Sequence, residues 1–170
     1  MFYLPEGNNK YYIEEYMLIL WLERMGIDKE HIKNVKTKIV KDKLKNYIKG
    51  ESKQEIIEVE KIIGGSRLTP NVSFFDNMLK VEGKDRRRKM ENLTYAINDY
   101  VNAYGIKWLR NNYSEKFGSI IIDYYVDEDK YYIELDGNHR GLLAIMIGVN
   151  KLKAYVDYYY KNNDEINNLK

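Results

Sequence analysis

The sequence predicts an α+β fold, a small mixed sheet with helices packed on it, preceded by an N-terminal helical hairpin. Three observations predict it. Apolar residues recur at helical spacing over residues 11–48 and 86–104. They alternate over 55–63, and β-rich runs follow at 119–126, 130–135 and 151–160. Single glycines and polar clusters separate these stretches where elements should end.

The first helix is expected over residues 11–25, where Ile13, Tyr16, Met17, Leu20, Trp21 and Arg24 fall on one side. Gly26 closes it, and Asp28 can cap a second helix from Lys29 to Ile48, with Ile32, Val35, Ile39, Leu44, Tyr47 and Ile48 as its stripe. Gly50-Glu51-Ser52-Lys53 breaks the pattern. The expected division is therefore a hairpin module at 1–52 and the sheet domain at 53–170. A strand over 55–63 ends at Gly64-Gly65-Ser66-Arg67, and residues 68–83 are irregular, with a short helix near Phe74 to Leu79. Asp85 caps a helix over 86–104 whose inner face carries Met90, Leu93, Ile97, Tyr100, Val101 and Tyr104, and Gly105 stops it. A connection containing Trp108 leads to two strands joined by Asp127-Glu128-Asp129. A helix over 138–147, closed by Gly148, and a last strand over 151–160 complete the order, and the polar tail from Lys161 is expected to fray.

Composition narrows the chemistry. At 170 residues with 44% hydrophobic content the chain can bury a substantial core. Its aromatic content is mostly tyrosine, 17 against 4 Phe, which lets a half-buried ring keep its hydroxyl in water. There is no cysteine, so disulfides, thiolate metal sites and cysteine nucleophiles are excluded. No apolar run approaches membrane-spanning length, and the first residues lack a basic segment followed by an apolar one. A cytoplasmic protein with no membrane partner is the expectation. The two histidines, His31 and His139, make no zinc pattern, and no P-loop, nucleophile elbow or Rossmann fingerprint occurs.

The chemistry concentrates at Asp136-Gly137-Asn138-His139-Arg140. A strand ends there and feeds directly into a helix, placing an acid, an imidazole and a guanidinium at a helix N-terminus. Unsatisfied N–H donors and the positive end of the helix dipole make such a turn a natural anion site. Gly137 permits a sharp turn and a close backbone approach. Arg140 can pair with phosphate oxygens or with an acid of its own chain. His139 can bind phosphate, move a proton or serve the turn structurally. Asp136 can act on a hydroxyl nucleophile, hold Mg²⁺ through water or cap the helix, and a bare carboxylate beside phosphates has to face an acceptor, a metal or Arg140.

In its strand-turn-helix-strand frame this motif resembles the ParB/sulfiredoxin superfamily. The helix from Gly141 to Gly148 and the strand from Leu152 to Asp157 continue the likeness, and the helix from Met90 to Tyr104 with the strand from Ile120 to Asp123 fits its run-up. The Asp-Gly-x-His-Arg form is nearest the kinase-like and DGQHR branches. The resemblance implies a nucleotide site for ATP, ADP or CTP with Mg²⁺, held by Gly137, Asn138, His139 and Arg140, with phosphoryl transfer or nucleotide hydrolysis as the activity. The reductase members need a cysteine where Asn138 stands, so that chemistry is not expected. Backbone and side chain of Ser66 and Arg67 can reach the same phosphates if their strand neighbours that of Glu134. Kinase-like members also take an acidic base from the region of Glu58 and Glu60, which makes Glu60 a candidate beside Asp136 and His139.

Two basic features suggest a different class, a non-catalytic module binding nucleic acid or a protein of a mobile-element or defence-related system. The segment from Lys29 to Lys49 has eight Lys against Glu30 and Asp42, +6 in a chain of net charge +2. Arg86-Arg87-Arg88-Lys89 opens a helix at the end where each cation costs about 0.3–1 kcal/mol, which suits an anionic partner. A third reading keeps the fold but not a working nucleotide site, with the hairpin serving oligomerisation.

Overall fold

A computed structural model of the chain describes residues 14–163. It is a mixed α+β structure with helices α1 (Glu15–Met25), α2 (Lys29–Thr37), α3 (Phe74–Leu79), α4 (Lys84–Tyr104), α5 (Ile106–Phe117) and α6 (Asn138–Ile147). The strands are β1 (Tyr47–Glu58), β2 (Ile62–Gly65), β3 (Ile120–Tyr125), β4 (Lys130–Ile133) and β5 (Lys151–Lys161). They form one sheet in the order β1-β5-β3-β4-β2. β5 runs parallel to β3, and β2 parallel to β4; the β1/β5 and β3/β4 pairs are antiparallel.

The sheet has to curl. Its edge strands β1 and β2 are joined only by the 3-10 turn Val59–Lys61. Laid flat, the two edges would stand about 19 Å apart, four strand spacings. The four Cα steps from Glu58 to Ile62 reach at most about 14 Å. The right-handed twist of strands supplies the curl.

One face of the sheet carries the main core. Ile122, Ile133, Leu152 and Val156 pack there beneath α6, whose residues from Gly141 to Ile147 are all buried. Leu18, Trp21 and Leu22 of α1 and Ile32 and Val35 of α2 belong to the same core. The other face holds a smaller cluster of Ile63, Tyr125 and Tyr132, flanked by Leu44, Tyr47 and Tyr159.

Three expectations between residues 29 and 63 are corrected. The second helix ends at Thr37, not Ile48. Ile39, Leu44, Tyr47 and Ile48 mimic a helical stripe, but tertiary pairing takes the backbone first. Ile39 bridges Ser73, Val40 N–H donates to Val72 O at 2.8 Å, and Lys41 N–H donates to Ile63 O at 2.8 Å. Residues 38–44 thus form an extended strap against β2 and the smaller cluster, and a bend at Lys45 and left-handed Asn46 (φ 66°) leads into β1. The break expected at Gly50–Lys53 lies inside β1, as a shift of register between Lys49 and Ser52. The strand expected over 55–63 is the end of β1, the 3-10 turn and the start of β2.

The Trp108 connection is helix α5, bracketed by Gly105 (φ 88°) and Gly118 (φ 85°). Leu109, Tyr113 and Phe117, at four-residue spacing, are the signal that identifies it. Asp85 sits in the first turn of α4, and Gly83 is the N-cap. The short helix at Phe74–Leu79, α6, and the hairpin through Asp127–Asp129 stand where the pattern put them. Residues 11–13 of the first predicted helix and the tail beyond 163 lie outside the described residues.

Candidate functional site

β4 delivers the chain to the N-terminus of α6 through two left-handed residues, Leu135 (φ 41°) and Gly137 (φ 102°). Gly137 is required by both conformation and space, because a Cβ there would lie 2.7 Å from Ile120 Cγ2. As the N-cap it has no side-chain oxygen to offer the amides of the first turn of α6.

Asn138 joins this turn to the end of β2. It is 2% exposed; its Oδ1 accepts from Arg67 N–H at 3.1 Å, and its Nδ2 donates to Ser66 Oγ at 3.1 Å. Ser66 N–H donates to Ile133 O at 2.8 Å, as the parallel β2/β4 pairing requires. The structure therefore brings Ser66 and Arg67 to Gly137, Asn138, His139 and Arg140, with Asn138 acting as the joint.

The Arg140 guanidinium is held by groups of its own chain. Its Nη1 donates to Phe117 O at 2.9 Å and Ser119 O at 3.1 Å, and its Nη2 pairs with Asp136 Oδ2 at 3.2 Å. The guanidinium closes the C-terminal end of α5 and neutralises the carboxylate of the turn. Of the alternatives open for Asp136, the geometry selects Arg140.

A cleft of about 320 Å³ opens beside this turn, walled by Arg67, Lys89, Asn92, Leu93 and Leu135 and reaching Asp136 through Arg140. Asp136 is the one carboxylate among its lining residues. Burial pushes the His139 imidazole down to about 4, aided by the nearby cations Arg86, Arg67 and Lys89. His139 is thus neutral at pH 7, in a cationic setting. Lys89, Asn92 and Leu93 were not in the expected site. Their positions on α4, with Arg86 one turn before Lys89, show why: the basic run had signalled a partner but not its location.

Glu60 is not part of this arrangement. It is exposed in the 3-10 turn and lines a separate hollow of about 490 Å³ with His31, Lys38, Ile145 and Asn150. That hollow lies at the C-terminal end of α6, about 15 Å along the helix from the turn. It is larger than the cleft, but its charges are mixed, with Lys38 and Lys151 beside Glu58 and Glu60. Among the described residues no group of three His, Cys, Asp or Glu is placed to hold a metal. Asp136, a single exposed carboxylate already paired with Arg140, does not make a Mg²⁺ site on its own.

The lysines between Lys29 and Lys49 do not form one solvated helical face. Lys36 pairs with Glu15, Lys38 Nζ donates to Glu60 O at 2.8 Å, and Lys49 pairs with Asp157 at 3.6 Å. Lys43 reaches the second face of the sheet, 2.6 Å from Glu134 Oε1 and 3.3 Å from Asp123 Oδ2. Asp123 is 1% exposed, and burial with the neighbouring Glu134 raises its carboxyl above the ordinary range, against the pull of Lys43. No helix of the described residues is long and apolar enough to cross a membrane. Comparison of the chain with protein-family models, with curated proteins and with solved structures gives no match.

Proposed function

We propose that the cleft at the N-terminus of α6 binds the phosphates of a nucleotide, in the manner that the resemblance to the ParB/sulfiredoxin superfamily implies. The observation that carries this reading is the convergence of Arg67, Arg86 and Lys89 around His139 at an uncapped helix end. Amide dipoles and three cations favour negative charge there, and the Asp136–Arg140 pair removes the one opposing carboxylate. The residues expected to touch phosphate are therefore Arg67 and Lys89 with the amide of His139; Asn138 and Arg140 hold the frame. No metal step enters this reading. Of the three residues expected to move a proton, only His139 faces the cleft without an ion-pair partner.

The test is calorimetric titration with ATP, ADP, CTP and GTP, with and without Mg²⁺, of the parent chain and of Arg67→Ala and Lys89→Ala. Each variant should lose about tenfold to a hundredfold in affinity. A phosphate-release assay on the same samples reports whether hydrolysis accompanies binding. Absence of binding to all four nucleotides would overturn the proposal.

The exposed side chains of Arg86, Arg88 and Lys89 favour a second reading, contact with nucleic acid. Affinity for a single-stranded oligonucleotide that falls steeply with salt and ignores free nucleotide would support that reading instead.

A further inference from the structure

β1 is an edge strand; among the described residues its hydrogen-bonded neighbour is β5 alone. The opposite edge, β2, is met by the strap at Lys41. An unpaired edge presents a row of N–H and C=O groups that can template another strand, and proteins commonly guard such edges with proline or with lysines. β1 has no proline, alternates the sign of its charges from Lys49 to Glu55, and leaves Ile48 and Ile56 53% and 66% exposed.

The register shift between Lys49 and Ser52 divides the strand into two regularly paired stretches, 47–49 and 52–58, of which the second is the longer. Opposite Leu152 and Ala154, Ile57 and Glu55 lie on the face of the main core with Lys53, while Ser52, Gln54 and Ile56 lie on the other. A two-fold axis perpendicular to the sheet keeps like faces together, so residues directly opposite each other must share a face. An axis at Lys53 would set that lysine against itself, and an axis at Glu55 would do the same for the glutamate. An axis at Ser52 would run the pairing into the irregularity, and one at Ile56 leaves the charges unopposed. An axis at Gln54 sets Lys53 against the partner's Glu55 and Glu55 against the partner's Lys53. The same axis puts Gln54 beside its own copy.

We propose that β1 is a self-association edge, pairing antiparallel with β1 of a second copy about an axis at Gln54, so that two sheets become continuous. A guard of one charge sign would repel a second copy; the Lys53/Glu55 alternation attracts one in a single register. The paired segment is short, so the dimer is weak and concentration-dependent.

Sedimentation velocity of the full chain from about 5 to 500 µM tests this, spanning the range of weak pairs. The parent chain should shift from monomer to dimer within that range. Lys53→Glu and Glu55→Lys, each alone, set like charges face to face and should weaken self-association by at least about tenfold. An equimolar mixture of the two variants should dimerise again, because each charge then meets its opposite across the axis. Unchanged far-ultraviolet circular dichroism of each variant shows that it is folded, and recovery on mixing cannot come from an unfolded chain. A parent chain that stays monomeric throughout overturns the proposal. So does a dimer indifferent to Lys53→Glu, or a mixture no better than its components.

Discussion

Asn138 Oδ1 accepts the backbone N–H of Arg67 at 3.1 Å, across 71 residues of sequence. This bond fixes the end of β2 against the start of α6 and thereby sets where the Arg67 side chain emerges. The space is tight: a Cβ on Gly65 would stand 2.2 Å from the same Oδ1. Asn138→Ala should cost about 2 kcal/mol, because a part-buried N–H and the Ser66 hydroxyl lose their partner. Gly65→Ala should cost a comparable amount by forcing Asn138 out of place. Urea unfolding of both variants checks this, and a loss below about 0.5 kcal/mol in either would show that the joint is dispensable.

Arg140 and Arg67 should separate stability from binding. Arg140→Ala leaves the carbonyls of Phe117 and Ser119 without their charged donor and should destabilise by about 2–3 kcal/mol. Arg67 is exposed, so Arg67→Ala should leave unfolding unchanged within about 0.5 kcal/mol while weakening nucleotide binding about tenfold. Thermal unfolding beside titration measures both. The reverse pattern would mean that Arg140, not Arg67, meets the ligand.

His139 gives stability a pH dependence of known sign. Its folded value, about 4, lies below the unfolded value of 6.5, so the unfolded chain binds the proton more readily. The contribution is whole above pH 6.5 and is lost as pH falls towards 4. Partial exposure of the ring and screening of its cationic neighbours reduce the loss to about 1 kcal/mol. His139→Gln should flatten that limb of the curve. A bound phosphate should raise the histidine above 4, which proton NMR of the ring can follow during titration.

Asp123 should act with the opposite sign. Its folded value is raised above the unfolded 3.8, so the stabilisation belongs to the protonated form. It is full below about pH 4 and disappears as pH rises through the folded value, against the compensation from Lys43. Asp123→Asn should remove about 1–2 kcal/mol of the decline between pH 5 and pH 8, measured as unfolding free energy at those two values. A decline that persists in the variant would place its source elsewhere.

Much of the fold was legible because local signals and final contacts agree. α6 stands between its two left-handed glycines, and nearly all of it is buried, so its apolar run could be nothing but core. β3, β4 and β5 alternate or run apolar over their actual lengths. α5 is also written in the chain, in the four-residue spacing of Leu109, Tyr113 and Phe117. Residues 38–48 differ from the expectation for a physical reason: their apolar spacing fits a helix, but distant partners at Val72, Ser73 and Ile63 hold residues 39–41, and Lys161 and Tyr160 pair with Tyr47 and Ile48.

The turn at Asp136–Arg140 illustrates the same division. Its residue types and its place between strand and helix are properties of the sequence by itself, and they suffice to predict a helix end suited to anions. Which groups face outward was decided by packing. Arg140 is drawn inward by carbonyls released at the end of α5, and Arg67 and Lys89 arrive from other elements to take the cleft. Glu60, near Ser66 in sequence, ends at the far end of α6 because the 3-10 turn carries the chain around the curled sheet. Local conformation follows from neighbours along the chain; the direction of a side chain follows from whichever distant partners satisfy its hydrogen bonds, and those exist only once the chain has folded.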